Sequence, residues 1–228
     1  SSRRVCHKPS VVQRFPSKLP DFAKIFLNAI GIKSNRVISY NENRQILFAP
    51  EVLFVSNLRK DNCMSKKADL ISMADNIIRN IMPKRGSWDE SPRRRLFLSR
   101  AEWQNQRRSL INRSEVEDIF RLHGYEIVYP ERLSIGEQIA LYRSAAVLAG
   151  ENGSALHNCL FGHPEQKVLV LKSRSDGVYI QSSICEQAGQ QIAYCYGESY
   201  DRAGAGRHGP WIADPVHLRD AIEAIANF

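Results

Sequence analysis

Residues 147–158 read VLAGENGSALHN, an apolar run that stops at Gly150, turns through Glu151, Asn152 and Gly153, and resumes a helical pattern at Ser154. Two glycines followed by the small Ser154 and Ala155 let backbone amides approach a ligand closely. The unpaired N–H groups of a starting helix carry partial positive charge, so the stretch could hold a diphosphate. Glycines at such a turn also serve plain strand-to-helix packing, and the residues alone leave both readings open. A second cluster, SRAEWQNQRR at 99–108, supplies Arg100, Arg107 and Arg108. Adjacent guanidiniums could clamp a diphosphate through paired hydrogen bonds; the alternative is a solvated basic loop. Glu137 and Gln138 occupy the first turn of a helix that Ser134 opens. Capping accounts for Glu137, whereas Gln138 has no capping duty and could meet a neighbouring loop.

The elements that must position these residues follow from periodicity. A helix over 21–30 carries Phe22, Ile25, Phe26 and Ala29 on one face, capped by Ser17, entered through Pro20 and stopped by Gly31. Apolar runs at 36–40 and 46–55 read as strands, and a second helix over 66–82 ends at Pro83. The polar stretch PKRGSWDESPRRR reads as a linker, dividing the chain at 84–94 into an N-terminal α/β portion, 1–83, and a C-terminal domain, 95–228.

Beyond the linker, strand and helix alternate. Strands are expected at 96–99, 125–129, 146–149, 167–171 and 191–196, and helices after Asn112, Ser134 and Ser154, at 178–188, and after Asp214. Asn112 with Glu115, and Ser134 with Glu137, have the spacing of capping boxes. Such alternation demands a parallel sheet covered by helices on both faces, with its ligand crevice outside the carboxyl ends of the strands. The glycine- and charge-rich segment 198–208 is long enough to lie over that crevice, with Trp211 anchoring its far end.

Lysine and arginine number 32 against 24 aspartates and glutamates, a net charge of +8 that favours anionic partners: nucleic acid, acidic lipid headgroups or phosphorylated small molecules. The basic residues lack the aromatic interleaving of nucleic-acid surfaces, which argues against nucleic acid. No apolar run approaches the roughly 20 residues that span a bilayer, and the basic N-terminus has no apolar stretch behind it to make a signal peptide. The five cysteines, at 6, 63, 159, 185 and 195, show no paired spacing. His157, Cys159 and His163 match no common zinc pattern. Free thiols, no metal, no cofactor and a cytoplasmic location are the expectation, compatible with peripheral contact at the inner face of the cell membrane.

From residue 95 to about 171 the sequence resembles the family-61 glycosyltransferases, which include capsular-polysaccharide biosynthesis proteins. LFLSR at 96–100, Arg107-Arg108, Asn112 with Glu115, and His123-Gly124-Tyr125 carry the likeness. It continues through Pro130-Glu131, Leu133-Ser134, Glu137-Gln138, residues 146–150, 152–156, Asn158 and Leu160-Phe161, in matching order and spacing. The tail from Trp211 to Leu218 is similar more weakly.

This resemblance implies the C-terminal, Rossmann-like half of a GT-B architecture and an inverting transfer from a nucleotide-sugar donor to a glycan hydroxyl, without a metal. It places Arg107 or Arg108 on the donor phosphates, with Arg100 of the LFLSR stretch a further candidate for substrate binding. Asn152, Gly153, Ser154, Ala155 and Asn158 then lie about the diphosphate turn, and Glu137 and Gln138 brace the nucleotide. The chain has no D-x-D sequence, consistent with that route. Glu151 is the candidate catalytic base within this chain. The sequence departs from the family in having Asn152 where a histidine commonly precedes the turn glycine, which motivates an alternative reading as a catalytically inactive nucleotide- or sugar-binding module. A complete GT-B enzyme needs two full domains and only 83 residues precede the linker, so 1–83 reads as a reduced or remnant acceptor-side domain, with a fragment the favoured reading.

Overall fold

The computed structural model describes residues 11–13, 20–39, 59–60, 63–64, 67–82, 93–102, 109–200 and 209–227. The Ser17 cap, the strand expected at 46–55, linker residues 84–92, and Arg107 and Arg108 lie outside them.

In the N-terminal part, β1 (Val11–Gln13) pairs in parallel with β2 (Val37–Ser39), and α1 (Asp21–Ala29) lies between them in sequence. A two-residue hairpin, β3 (Arg59–Lys60) with β4 (Cys63–Met64), precedes α2 (Lys67–Ile81). Helix α1 buries Ala29 and stacks Phe26 on Phe161, ring centroids 6.1 Å apart, but leaves Phe22 and Ile25 exposed. The apolar stripe read from sequence is therefore wider than the face that makes contact.

The C-terminal part alternates strand and helix as far as β9: β5 (Arg94–Leu98), α3 (Arg113–Leu122), β6 (Glu126–Val128), α4 (Ile135–Arg143), β7 (Ala145–Glu151), α5 (Ser154–His157), β8 (Lys167–Ser173), α6 (Ile180–Ala188) and β9 (Gln191–Ser199), followed by a second strand, β10 (Trp211–Ile212), and α7 (Pro215–Asn227). The sheet runs β6-β5-β7-β8-β9-β10. Its first five strands are parallel, and β10 is an antiparallel edge on β9 that the sequence did not signal.

Strand β8 shows why the sheet must be covered twice: Val168, Leu169, Val170 and Leu171 are all fully buried, so both faces of the strand lie in cores. Alternate residues divide between them. Phe97, Ala149, Leu169 and Leu171 pack under α3 and α7, whereas Leu96, Leu98, Leu148, Val168 and Val170 pack under α4, α5 and α6. A third apolar cluster joins Ala74 and Ile77 of α2 and Ala29 of α1 to Ile139 of α4 and Phe161.

The capping box at Ser134 forms as read: its Oγ accepts from Glu137 N at 3.3 Å, and Glu137 Oε2 accepts from Ser134 N at 2.8 Å. The one at Asn112 does not. Asn112 makes no side-chain cap, because its amide is drawn to residue 213, donating to Ala213 O at 2.8 Å and accepting from Ala213 N at 3.1 Å. Helix α3 ends before Gly124, whose φ of 76° is the left-handed conformation that side chains disfavour. The helix expected after Ser154 is one α turn that tightens into a 3₁₀ turn, Asn158–Phe161.

Candidate functional site

From β5 the chain moves outward to β6, then returns to the other side of β5 as β7. The sheet order thus reverses between β5 and β7, where α/β sheets bind ligands beyond their carboxyl ends. The register aligns Leu98 with Gly150, so the segments after both strands leave the same rim as neighbours. Gly150 sits tightly against β5: a Cβ there would lie 3.1 Å from Leu98 O.

Arg100 and Gly153 meet across this switch. A Cβ built on Gly153 would stand 3.5 Å from Arg100 Nη1, so the turn's backbone faces the guanidinium directly. Gly153 is extended (φ 166°), a conformation open to any residue; what glycine contributes is clear space in front of Arg100. Ser154 and Ala155 follow at the start of α5.

Asn152 is buried and lashes two rim turns together. Its N–H donates to Leu171 O at 2.8 Å and its Nδ2 donates to Asp176 Oδ2 at 2.7 Å. Asp176 Oδ1 in turn accepts from Val178 N at 3.1 Å. Behind the turn, Arg113 Nε donates to Glu151 Oε1 at 3.1 Å and Nη2 to Oε2 at 3.3 Å. Burial lifts the Glu151 carboxyl above the ordinary range, while the Arg113 and Arg100 guanidiniums pull it back. A small pocket of about 10 Å³, room for about one water, results, lined by Arg100, Glu151, Asn152, Lys172, Asp176 and Trp211 among others. Below it, Ser99 Oγ donates to Glu117 Oε1 at 2.6 Å and accepts from Ala101 N at 3.0 Å, fixing the start of the Arg100 loop.

Of the residues singled out in sequence, the structure therefore gathers Arg100, Glu151, Asn152 and Gly153, with Ser154 and Ala155 adjoining. Glu137 and Gln138 stand at the end of β6. Ser134 holds the Glu137 carboxyl below its ordinary range, and Gln138 Nε2 donates to Pro130 O (2.9 Å) and Leu133 O (3.1 Å), bracing the turn before α4. The buried Tyr142 hydroxyl donates to Gln138 Oε1 at 3.5 Å, and Asn158 opens the 3₁₀ turn that follows α5. Glu137 lines a separate, wider groove of about 730 Å³ between the end of α2, β6 and α4. Its arginines, Arg94 and Arg132, are paired with Glu126 and Glu102.

Sequence reasoning missed Arg113, Glu117, Lys172 and Asp176. Lys172 left the clearest signal, a lysine closing the otherwise apolar run VLVL. Cys159, Cys185 and Cys195 are buried free thiols. Among the described residues no cluster of three His, Cys, Asp or Glu could hold a metal ion, and no helix is long and apolar enough to cross a membrane.

A doubly covered, mostly parallel sheet with a polar pocket at its reversal point, lined by two cations and two carboxylates, is an α/β architecture of the kind that binds ligands at that place. The chain belongs to glycosyltransferase family 61, whose model matches residues 7–169. The match takes in Arg100 and the 151–155 turn and stops before Lys172, Asp176 and Trp211. No curated protein matches the sequence. Sugar transfer is accordingly the chain's class of activity.

Proposed function

We propose that the β5/β7 crevice is the donor site of an inverting, GT-B-type glycosyltransferase, with residues 95–228 gripping a nucleotide-sugar whose sugar passes to a glycan hydroxyl. The carrying observation is the Arg100 guanidinium facing the Gly153 turn. A diphosphate set there meets a cation on one side and helix-start amides on the other. Both stabilise the charge that grows as the nucleoside diphosphate leaves. Ser109, which follows Arg107 and Arg108 in sequence, accepts a backbone hydrogen bond from Trp211 at the pocket (2.9 Å).

In this reading the acceptor hydroxyl attacks the anomeric carbon as its proton passes to a base and the diphosphate departs from the opposite face. Glu151 is this chain's candidate base, its raised pKa suiting proton uptake. Glu137, Gln138 and Asn158 brace the walls. Synthesis of capsular or other surface polysaccharide in the cytoplasm, at the membrane's inner face, fits this chemistry and the net charge of +8.

A second reading is a catalytically inactive sugar- or nucleotide-binding module. It is favoured by Asn152, whose side chain is committed to Asp176. Thermal shift against UDP-, GDP- and CMP-sugars tests the site. A saturating donor raises the melting temperature by several degrees, since about 100-fold excess over Kd adds roughly 2.7 kcal/mol, and Arg100→Ala removes most of that rise. If no nucleotide shifts melting, the donor site is wrong. Donor binding without hydrolysis or transfer selects the inactive module.

A further inference from the structure

We propose that Tyr179, Tyr196, Arg174 and Glu198, beside the crevice, form a stacking subsite for a pyranose ring. The inference rests on the sugar-transfer reading only for the origin of that ring, in an acceptor glycan or in the donor's own sugar.

The four side chains reach one face of the sheet's carboxyl rim from three segments. Tyr194, Tyr196 and Glu198 are alternate residues of β9 and so share a face. Lys172 of β8 is the register partner of Tyr196, which puts it on that same face, and Arg174, the residue after the strand, pairs with Glu198 at its end. Tyr179 comes from the segment leading into α6 and closes the strip. Its ring meets Tyr194 edge-on at 5.5 Å, Tyr194 stacks on Tyr196 at 6.0 Å, and the Tyr196 hydroxyl donates to the Tyr179 hydroxyl at 3.4 Å.

Beneath them lies Lys172, 1% exposed, with Nζ 3.8 Å from the Tyr179 ring centroid and donating to Val178 O at 2.7 Å. A lysine is seldom buried so completely. Here its ammonium pins a tyrosine ring that nonetheless stays 40% exposed. An aromatic surface fixed in advance needs no ordering when a ligand arrives. Tyrosine faces suit the C–H face of a pyranose, and the phenols here hold each other in place.

Polar partners for the ring's hydroxyls stand at the upper end of the strip. Arg174 Nε and Glu198 Oε1 pair at 2.8 Å with both side chains about two-thirds exposed, 64% and 67%. One offers donors and the other acceptors, the combination adjacent sugar hydroxyls require. An ion pair so exposed contributes little to stability, which leaves both groups available to a ligand.

The strip is continuous with the crevice. Lys172 and Asp176 line the pocket, and Asp176 accepts both from Asn152 and from Val178 N, next to Tyr179. Strands β7 and β9 are two steps apart, so the strip lies about 10 Å from the Asn152 turn, within reach of a sugar linked to, or attacking, a bound donor.

Saturation-transfer NMR on the full chain provides the test, using methyl glycosides of glucose, galactose and N-acetylglucosamine, then UDP-, GDP- and CMP-sugars. The proposal expects transfer to ring C–H protons, reduced at least about five-fold by Tyr179→Ala and by Tyr196→Ala, with Tyr179→Phe close to wild type and melting temperatures of all variants preserved. Transfer from free glycosides identifies the acceptor as the source; transfer only from the sugar of a nucleotide-sugar identifies the donor. Absence of ring transfer from every probe, equal transfer in the alanine variants, loss confined to nucleobase protons, or unfolding of both alanine variants overturns it. Nucleotide-induced thermal shifts that persist in the alanine variants leave the Arg100 donor site standing, so the two ideas fail separately.

Discussion

Arg113 grips Glu151 by both carboxylate oxygens, at 3.1 and 3.3 Å, with the glutamate side chain only 2% exposed. One turn of α3 is thus bound to the last residue of β7, immediately before the Asn152 turn. The pair sets the height of the rim from behind.

Removing one partner strands the other. Arg113→Met leaves a buried carboxylate without its cation and is expected to destabilise the fold by about 3–5 kcal/mol, read from urea unfolding. Adding Glu151→Leu to that variant should restore most of the loss. A single-variant effect below about 1 kcal/mol would show that the pair does not secure the rim.

The pH dependence of Glu151 has a definite sign. Burial, the largest influence, raises its folded pKa above the ordinary 4.5 despite Arg113 and Arg100. The folded chain therefore holds that proton more tightly than the unfolded one, and the glutamate's contribution to stability declines as pH climbs from about 4.5 through the folded value. Measured against Glu151→Gln, wild type should lose relative stability across that interval. A rising difference would mean that Arg113 outweighs burial.

Gly197 lies under Trp211. A Cβ there would fall 2.2 Å from Ile212 O and 2.6 Å from the indole Cε3. Gly197→Ala is expected to cost roughly 1–3 kcal/mol and to displace β10. A lowered melting temperature together with a red-shifted tryptophan emission checks it; an unchanged melt would deny the close approach.

Asp176→Ala frees the buried Asn152 amide and uncouples the turns after β7 and β8. A stability loss of about 1–3 kcal/mol is expected for the orphaned donor. A roughly ten-fold weaker nucleotide-sugar Kd by titration calorimetry should accompany it, about 1.4 kcal/mol. Undiminished donor affinity would separate Asp176 from the site.

What the sequence disclosed was whatever depends on near neighbours. Ser134 and Glu137 cap each other across three residues, and the apolar runs of β7 and β8 are long enough to declare themselves as buried parallel strands. Asn112 has the same local spacing as Ser134, but its partner lies at 213, which no local pattern can reveal. Arg113 and Asp176 escaped notice for the same reason, since Glu151 and Asn152 reach them only after the sheet has formed. The two-residue β10 is too short for periodicity to register. Glu137 and Gln138 stood out because they open a helix at the rim; the structure gives both of them bracing work within the turn before α4.

Strand β10 extends further than its pairing with β9. Trp211 N donates to Ser109 O and Ile111 N donates to Trp211 O, each at 2.9 Å, while Tyr200 N donates to Pro210 O at the same distance. The stretch leading into α3 and the edge strand β10 thus share one backbone footing at Trp211, so a change at that residue is felt by both.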